Sequence, residues 1–205
     1  MIEIRAQYRL LIRIVLTGIG CAGLTVLGAH AAGPPVPPEL EKVRAALEKY
    51  QDPYVAIRDG YFSTLGCVHY VKKGGPGRLP YPVGGMGIHF LNTQFVGPVP
   101  DPTRPPILLY EPVGDKLKLV GAEWFVPLAT GVKERPTLFG RPFDGPMEGH
   151  EPLMRKELQH YDLHVWLWKE NPNGLFSPTN SKVVCKGYAH SMPEEAPLYV
   201  PHPKP

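Results

Sequence analysis

The stretch Gln159-His160-Tyr161-Asp162-Leu163-His164-Val165-Trp166-Leu167-Trp168 alternates with a period of two. Successive side chains of a strand point to opposite faces. His160, Asp162 and His164 therefore share one face, and Tyr161, Leu163, Val165 and Leu167 the other. Trp166 and Trp168 continue the imidazole-bearing face. Strands rarely present two tryptophans to water, so this face is expected to be covered. Covered imidazoles and a carboxylate need partners, and a metal ion is one such partner. His160 and His164 lie about 13 Å apart along an extended strand at ~3.3 Å per residue, so a straight strand cannot offer both to one ion. His164, deeper in the apolar run, is the expected ligand, with His160 at the mouth of the site or behind the ligand.

Two other segments carry groups of the same chemistry. In Gly84-Gly85-Met86-Gly87-Ile88-His89-Phe90-Leu91 the alternation assigns Met86, Ile88 and Phe90 to a core face. His89 then lies opposite them, as the histidines of 160–164 lie opposite their apolar residues. The glycines permit close approach of another backbone or a ligand, but no Gly-Lys-Ser/Thr comes after them to make a phosphate loop. In Leu119-Val120-Gly121-Ala122-Glu123-Trp124-Phe125-Val126 both faces are nearly apolar. A carboxylate there is protonated, paired or metal-bound, because leaving it bare and charged is prohibitively costly. Glu111, beside a turn, is expected to be solvated. The Gly- and Pro-rich loop of residues 139–152 takes a fixed path and is placed to deliver His150 to the same site. His69, His190 and His202 are expected to be structural or solvated.

Imidazoles plus one carboxylate, without thiolates, suit Zn, Fe, Mn, Cu or Ni. The expected metal ligands are therefore His89, His164, His160 and Glu123. Glu123 and His150 are the candidate catalytic groups, as proton carriers. No Gly-x-Ser-x-Gly nucleophile signature occurs.

Around these segments the chain reads as one α+β domain. Leu40, Val43, Leu47 and Tyr50 recur at helical spacing, and Asp52-Pro53 reads as a cap opening a second helix over 53–59. The helical period then disappears. The 26 prolines, all after residue 33, cut the remainder of the chain into short strands with long ordered loops. Strands are expected at 67–71, 86–91, 107–111, 116–126 and 160–168, with a hairpin turn at Pro112-Val113-Gly114-Asp115. The expected fold is two N-terminal helices packed on a mostly antiparallel, curved sheet or partial β-barrel. Trp124, Trp166 and Trp168 would wall a pocket, and the tail from Met192 would wrap or dangle.

Residues 1–31 read as a signal peptide. Arg5, Arg9 and Arg13 precede the apolar run Ile14 to Leu27, and Ala29-His30-Ala31 fits signal-peptidase cleavage before Ala32. The run is shorter than the roughly 20 residues of a membrane span. Cleavage removes three Arg and one Glu, so the formal charge falls from +3 to +1 and no basic surface for nucleic acid is left. Residues 32–205 then form a single exported domain with Pro-rich termini, periplasmic or secreted. Of three cysteines, Cys67 and Cys185 lie beyond the leader, and an even pair in an exported chain predicts a disulfide.

Gly-Met-Gly-Ile-His-Phe at 85–90, Leu-Tyr-Glu-Pro at 109–112 and Gly-Ala-Glu-Trp-Phe-Val at 121–126 form part of a wider pattern. Leu-Phe-Gly-Arg-Pro-Phe-Asp-Gly-Pro-Met at 138–147, Gly-His-Glu-Pro at 149–152 and His-Tyr-Asp-Leu-His-Val-Trp-Leu-Trp at 160–168 complete it. With these motifs the chain resembles a family of small exported bacterial proteins of unknown activity. The resemblance implies that shared chemistry maps to His89, Glu123, His150, His160 and His164. The functional expectation is an exported metal-binding protein with a His/carboxylate site, a metal-dependent enzyme on a small organic molecule being one form of it and a non-catalytic metal binder the other. The alternative is a non-catalytic small-ligand-binding or envelope-associated protein.

Overall fold

The computed structural model describes residues 33–202, and the signal peptide expected over 1–31 lies outside them. Among the described residues, no helix is long and apolar enough to cross a membrane. Helix α1, Pro38–Leu47, starts on a proline and buries Leu40, Val43 and Leu47. Tyr50, in the 3-10 turn Glu48–Gln51, extends this buried face. Each such side chain contributes about 1.5–3 kcal/mol when fully buried, so packing rather than helical propensity holds α1. Asp52 caps α2, Pro53–Arg58, by accepting from the Tyr54 N–H at 2.9 Å. This segment has six residues and buries only Ala56, while Tyr54 and Ile57 face outward. The expected two-helix layer is therefore not formed. Residues 54–57 are apolar on every side rather than in a stripe, and α1 is the one main helix among the described residues.

The strands are β1 Phe62–Tyr70, β2 Gly84–Leu91, β3 Ile107–Val113, β4 Lys116–Pro127, β5 Thr137–Leu138, β6 Arg141–Pro142, β7 Asp144–Met147, β8 His160–Val165 and β9 Ser191–Glu194. Seven form one sheet, curled as a half-barrel, in the order β7-β8-β4-β3-β2-β1-β9. β5 and β6 pair separately. Every neighbouring pair of the large sheet is antiparallel except β1–β9. That exception decides between the two readings of the tail. Instead of dangling, Ser191–Glu194 lies parallel to β1, with the Cys67 N–H donating to His190 O at 2.9 Å. Cys67 and Cys185 are disulfide-bonded, which ties the start of this tail to β1.

One face of the sheet joins α1 in the main core through Ile88, Phe90, Leu108, Tyr110, Ala122, Trp124, Leu163 and Val165. The other face carries a smaller apolar cluster that includes Ile107, Leu109, Phe125 and Trp166. Alternation assigns His89, Glu123 and the polar triad of β8 to that second face. Met86 departs from the simple pattern. The β1–β2 register slips by one residue between Val68 and His69, opposite Gly87 and Gly85, so β2 bulges at Met86. Met86 thereby leaves the main core and faces the same cavity as His89. Gly87 has φ +93°, and a Cβ there would stand 2.5 Å from Tyr110 O on β3. Gly87→Ala is expected to cost about 2–4 kcal/mol, a Tm roughly 5–15 °C lower in thermal unfolding. An unchanged Tm would mean that β2 does not need this bulge.

Candidate metal centre

β2, β4 and β8 converge three donor groups. Glu123 of β4 faces His164 of β8 directly in register. His89 reaches the same place from β2 across β3, where its register partner is Leu109 and that of Glu123 is Ile107. Glu123 Oε2 lies 3.4 Å from His89 Nε2 and 3.5 Å from His164 Nε2. One ligand atom from each of the three residues lies within 4.8 Å of the others. Glu123 and His164 are buried, and the His89 side chain is 14% exposed. Glu123 Oε2, His89 Nδ1 and both His164 ring nitrogens are shielded from solvent without a hydrogen-bond partner. Such groups ordinarily find partners, because each unmet one costs about 1–3 kcal/mol. Tetrahedral metal–ligand bonds of ~2.1 Å separate neighbouring donors by roughly 3.4 Å, the spacing seen around Glu123.

A second group lies beside the first. His150, His160 and Asp162 also bring ligand atoms within 4.8 Å of one another. Here the tautomer of His160 can be read. Leu158 O only accepts, so His160 donates from Nδ1 at 3.0 Å and keeps a lone pair on Nε2, 3.9 Å from Asp162 Oδ2. The Tyr70 hydroxyl donates to Glu194 Oε2 at 3.1 Å. Its oxygen lies 3.3 Å from His150 Nδ1, while His150 Nε2 lies 3.4 Å from Met147 Sδ. Tyr81 donates to Asp162 Oδ2 at 3.1 Å, and Asp162 Oδ1 lies 3.8 Å from His164 Nδ1.

Burial governs the electrostatics. It pushes His164 and His160 down to about 4 and His150 well below the usual imidazole range. It pushes Asp162 far above the carboxylate range and Glu194 up to about 7. For Glu123, burial acts upward, but His164 and His89 outweigh it and hold the carboxyl at about 2. The shifts of Glu123 and His164 are not symmetric, since Glu123 leans on an imidazole that burial itself keeps uncharged near neutral pH. Both agree that above about pH 4 a carboxylate lies beside a neutral imidazole with no proton shared between them. An anion next to imidazole lone pairs is the protonation state that a cation requires.

The two groups open on a cavity of about 170 Å³, walled by Val68, Met86, Leu91, Ile107, Phe125 and the loop residues Leu153, Met154 and Leu158. His89, Glu123, His150, His160 and His164 line it, so the structure gathers every candidate site residue into one place. It divides them, however. His164 joins His89 and Glu123, whereas His160 joins His150 and Asp162, because the length of the strand separates them. The expected tryptophan walls are absent from this cavity. Trp124 lies in the main core and donates to Asp101 O, Trp166 donates to Ser177 O, and Trp168 donates to Glu48 Oε2. Glu111 is buried rather than solvated, and it accepts from Lys169 Nζ at 2.6 and 2.8 Å and from the Val184 N–H at 3.0 Å.

Sequence reasoning passes over Glu194, Tyr70 and Tyr81. Glu194 sits in a proline-rich tail with no periodicity, and only its pairing with β1 brings it to the cavity. The two tyrosines read as ordinary core residues, and nothing local distinguishes them. Asp162 has a signal, its place between two histidines on one strand face. No family model, curated protein or solved structure matches the chain.

Proposed function

We propose that the protein binds a divalent transition metal through His89, Glu123 and His164, and that the ion faces a small organic molecule held in the adjoining cavity. The observation that carries this reading is the convergence of three donor groups from three strands, with buried ligand atoms that lack protein partners. Two imidazoles and one carboxylate leave a tetrahedral ion one open position, the pattern of a catalytic rather than a closed structural site. The apolar walls favour a molecule with an apolar body and one oxygen-donor head. A bound metal would polarise that head or activate water. Glu194, which lines the same cavity, is placed to carry the proton. Glu123 is then a ligand rather than the proton carrier. The Cys67–Cys185 bond supports action in an oxidising compartment, in keeping with export.

The test is metal content of the exported, mature protein beside a His89→Ala/His164→Ala variant, with circular dichroism to establish that both are folded. Near-stoichiometric metal in the wild type and none in the folded variant is the expected result. Metal-free wild type, even after reconstitution with Zn, Fe, Mn, Cu and Ni salts, overturns it. The cavity would then be the site of an organic ligand bound by a network of polar side chains.

A further inference from the structure

We infer that the cavity holds a second cation, bound by His150, His160 and Asp162 and linked to the first through Asp162. This deepens the metal reading above and rests on it for the role of the cavity, although its own ligands are different residues. Three features carry it. The ligand atoms of the three residues lie within 4.8 Å of one another. The side chains of His160 and Asp162 are 1% exposed, and Asp162 Oδ1 is buried without a hydrogen-bond partner. Finally, the His160 imidazole is oriented for a ligand. His160 spends its Nδ1 proton on Leu158 O and so presents an Nε2 lone pair, while His150 stands between the Tyr70 hydroxyl at Nδ1 and Met147 Sδ at Nε2. An imidazole that ligates by one nitrogen and donates from the other to a fixed acceptor is the usual arrangement of a metal site.

Asp162 couples the two positions. Its Oδ2 accepts from Tyr81 and faces His160, while its Oδ1 stands beside Nδ1 of His164, a ligand of the first ion. One carboxylate thus belongs to the second site and stands 3.8 Å from a ligand of the first. The strand explains the pairing. His160, Asp162 and His164 sit two residues apart on one face, too far end to end for one ion, but well spaced to serve two with the carboxylate between. Two ions under an apolar cavity would suit a ligand whose oxygen-donor head bridges them.

The test is titration of the metal-free mature protein with Co(II), read as visible absorbance and as bound Co(II) per chain by equilibrium dialysis. Wild type is expected to bind two Co(II) per chain. His150→Ala/His160→Ala and His89→Ala/His164→Ala are each expected to bind one, with different spectra. If the first variant does not fold, His150→Ala alone replaces it, since His150 stands on a loop outside the sheet. One Co(II) in the wild type, kept by the His150 variants and lost in His89→Ala/His164→Ala, overturns the second site and leaves the first intact. One Co(II) lost only in the His150 variants overturns both the pair and the first site. No binding at all overturns both readings.

Discussion

A Cys67→Ala/Cys185→Ala variant is expected to unfold with about 3–5 kcal/mol less stability than the oxidised protein, a Tm lower by roughly 6–20 °C. The bond spans 118 residues, and in the chain-entropy picture a loop of that length restricts the unfolded chain by close to ~5 kcal/mol. Its position adds a local consequence. Cys67 lies on β1 where Ser191 of β9 is its register partner, and Cys185 leads toward β9 through the turn at Tyr188. β9 is a short edge strand, and it brings Glu194 to the cavity beside Tyr70. Without the bond, residues 186–194 are expected to exchange their amide hydrogens faster than the remainder of the sheet. Thermal unfolding with and without a reductant, together with hydrogen exchange, checks both points. Coincident melting curves for oxidised wild type and variant would show that β9 is held by pairing alone.

Glu123→Gln is expected to separate stability from metal binding. In the metal-free protein Glu123 is an anion, 4% exposed, with a partnerless oxygen. His164 and His89 hold its folded-state pKa below the unfolded value, so the charge contributes stability near neutral pH and the metal-free variant should be less stable than wild type by up to roughly 3 kcal/mol. The difference widens when metal is added. At a thousand times the dissociation constant, binding to the folded state alone contributes about 4 kcal/mol, or roughly 8–16 °C in a domain of this size. That increment should be present in wild type and lost in Glu123→Gln, because two neutral imidazoles and an amide offer a cation no negative charge. Melting curves of both proteins with chelator and with excess Zn(II) supply the comparison. An equal upward shift in both proteins would exclude Glu123 as a ligand. A metal-free variant as stable as wild type would show that His89 and His164 do not hold the charge of Glu123.

A charge that only neighbouring imidazoles hold accords with the apolar surroundings of Glu123 in the sequence. A carboxylate in Gly121-Ala122-Glu123-Trp124-Phe125 is legible as an anomaly without knowledge of any contact. His89 and His164 are legible in the same way, each opposite an apolar strand face. His150 is legible only as the tip of a stiff loop, and Glu194 not at all. The second helix goes wrong in the sequence because a good cap, Asp52-Pro53, starts a helix without supplying the apolar stripe that extends one.

Features that depend on near neighbours along the chain are written in the sequence alone. Period-two alternation assigns His160, Asp162 and His164 to one face, the spacing of Leu40, Val43 and Leu47 sets the buried stripe of α1, and the parity of the cysteines anticipates their bond. Which of these faces meet is a matter of tertiary packing. The register that sets Glu123 against His164 joins strands 41 positions apart, and the bulge at Met86 and Gly87 turns an extra side chain into the cavity. The parallel pairing of β9 with β1 carries Glu194 to a site 124 residues from Tyr70. Alternation is a local property of an extended backbone, whereas register and bulges arise from packing across the whole sheet. For that reason one strand with two histidines can be read from the sequence, and their division between two groups of ligands cannot.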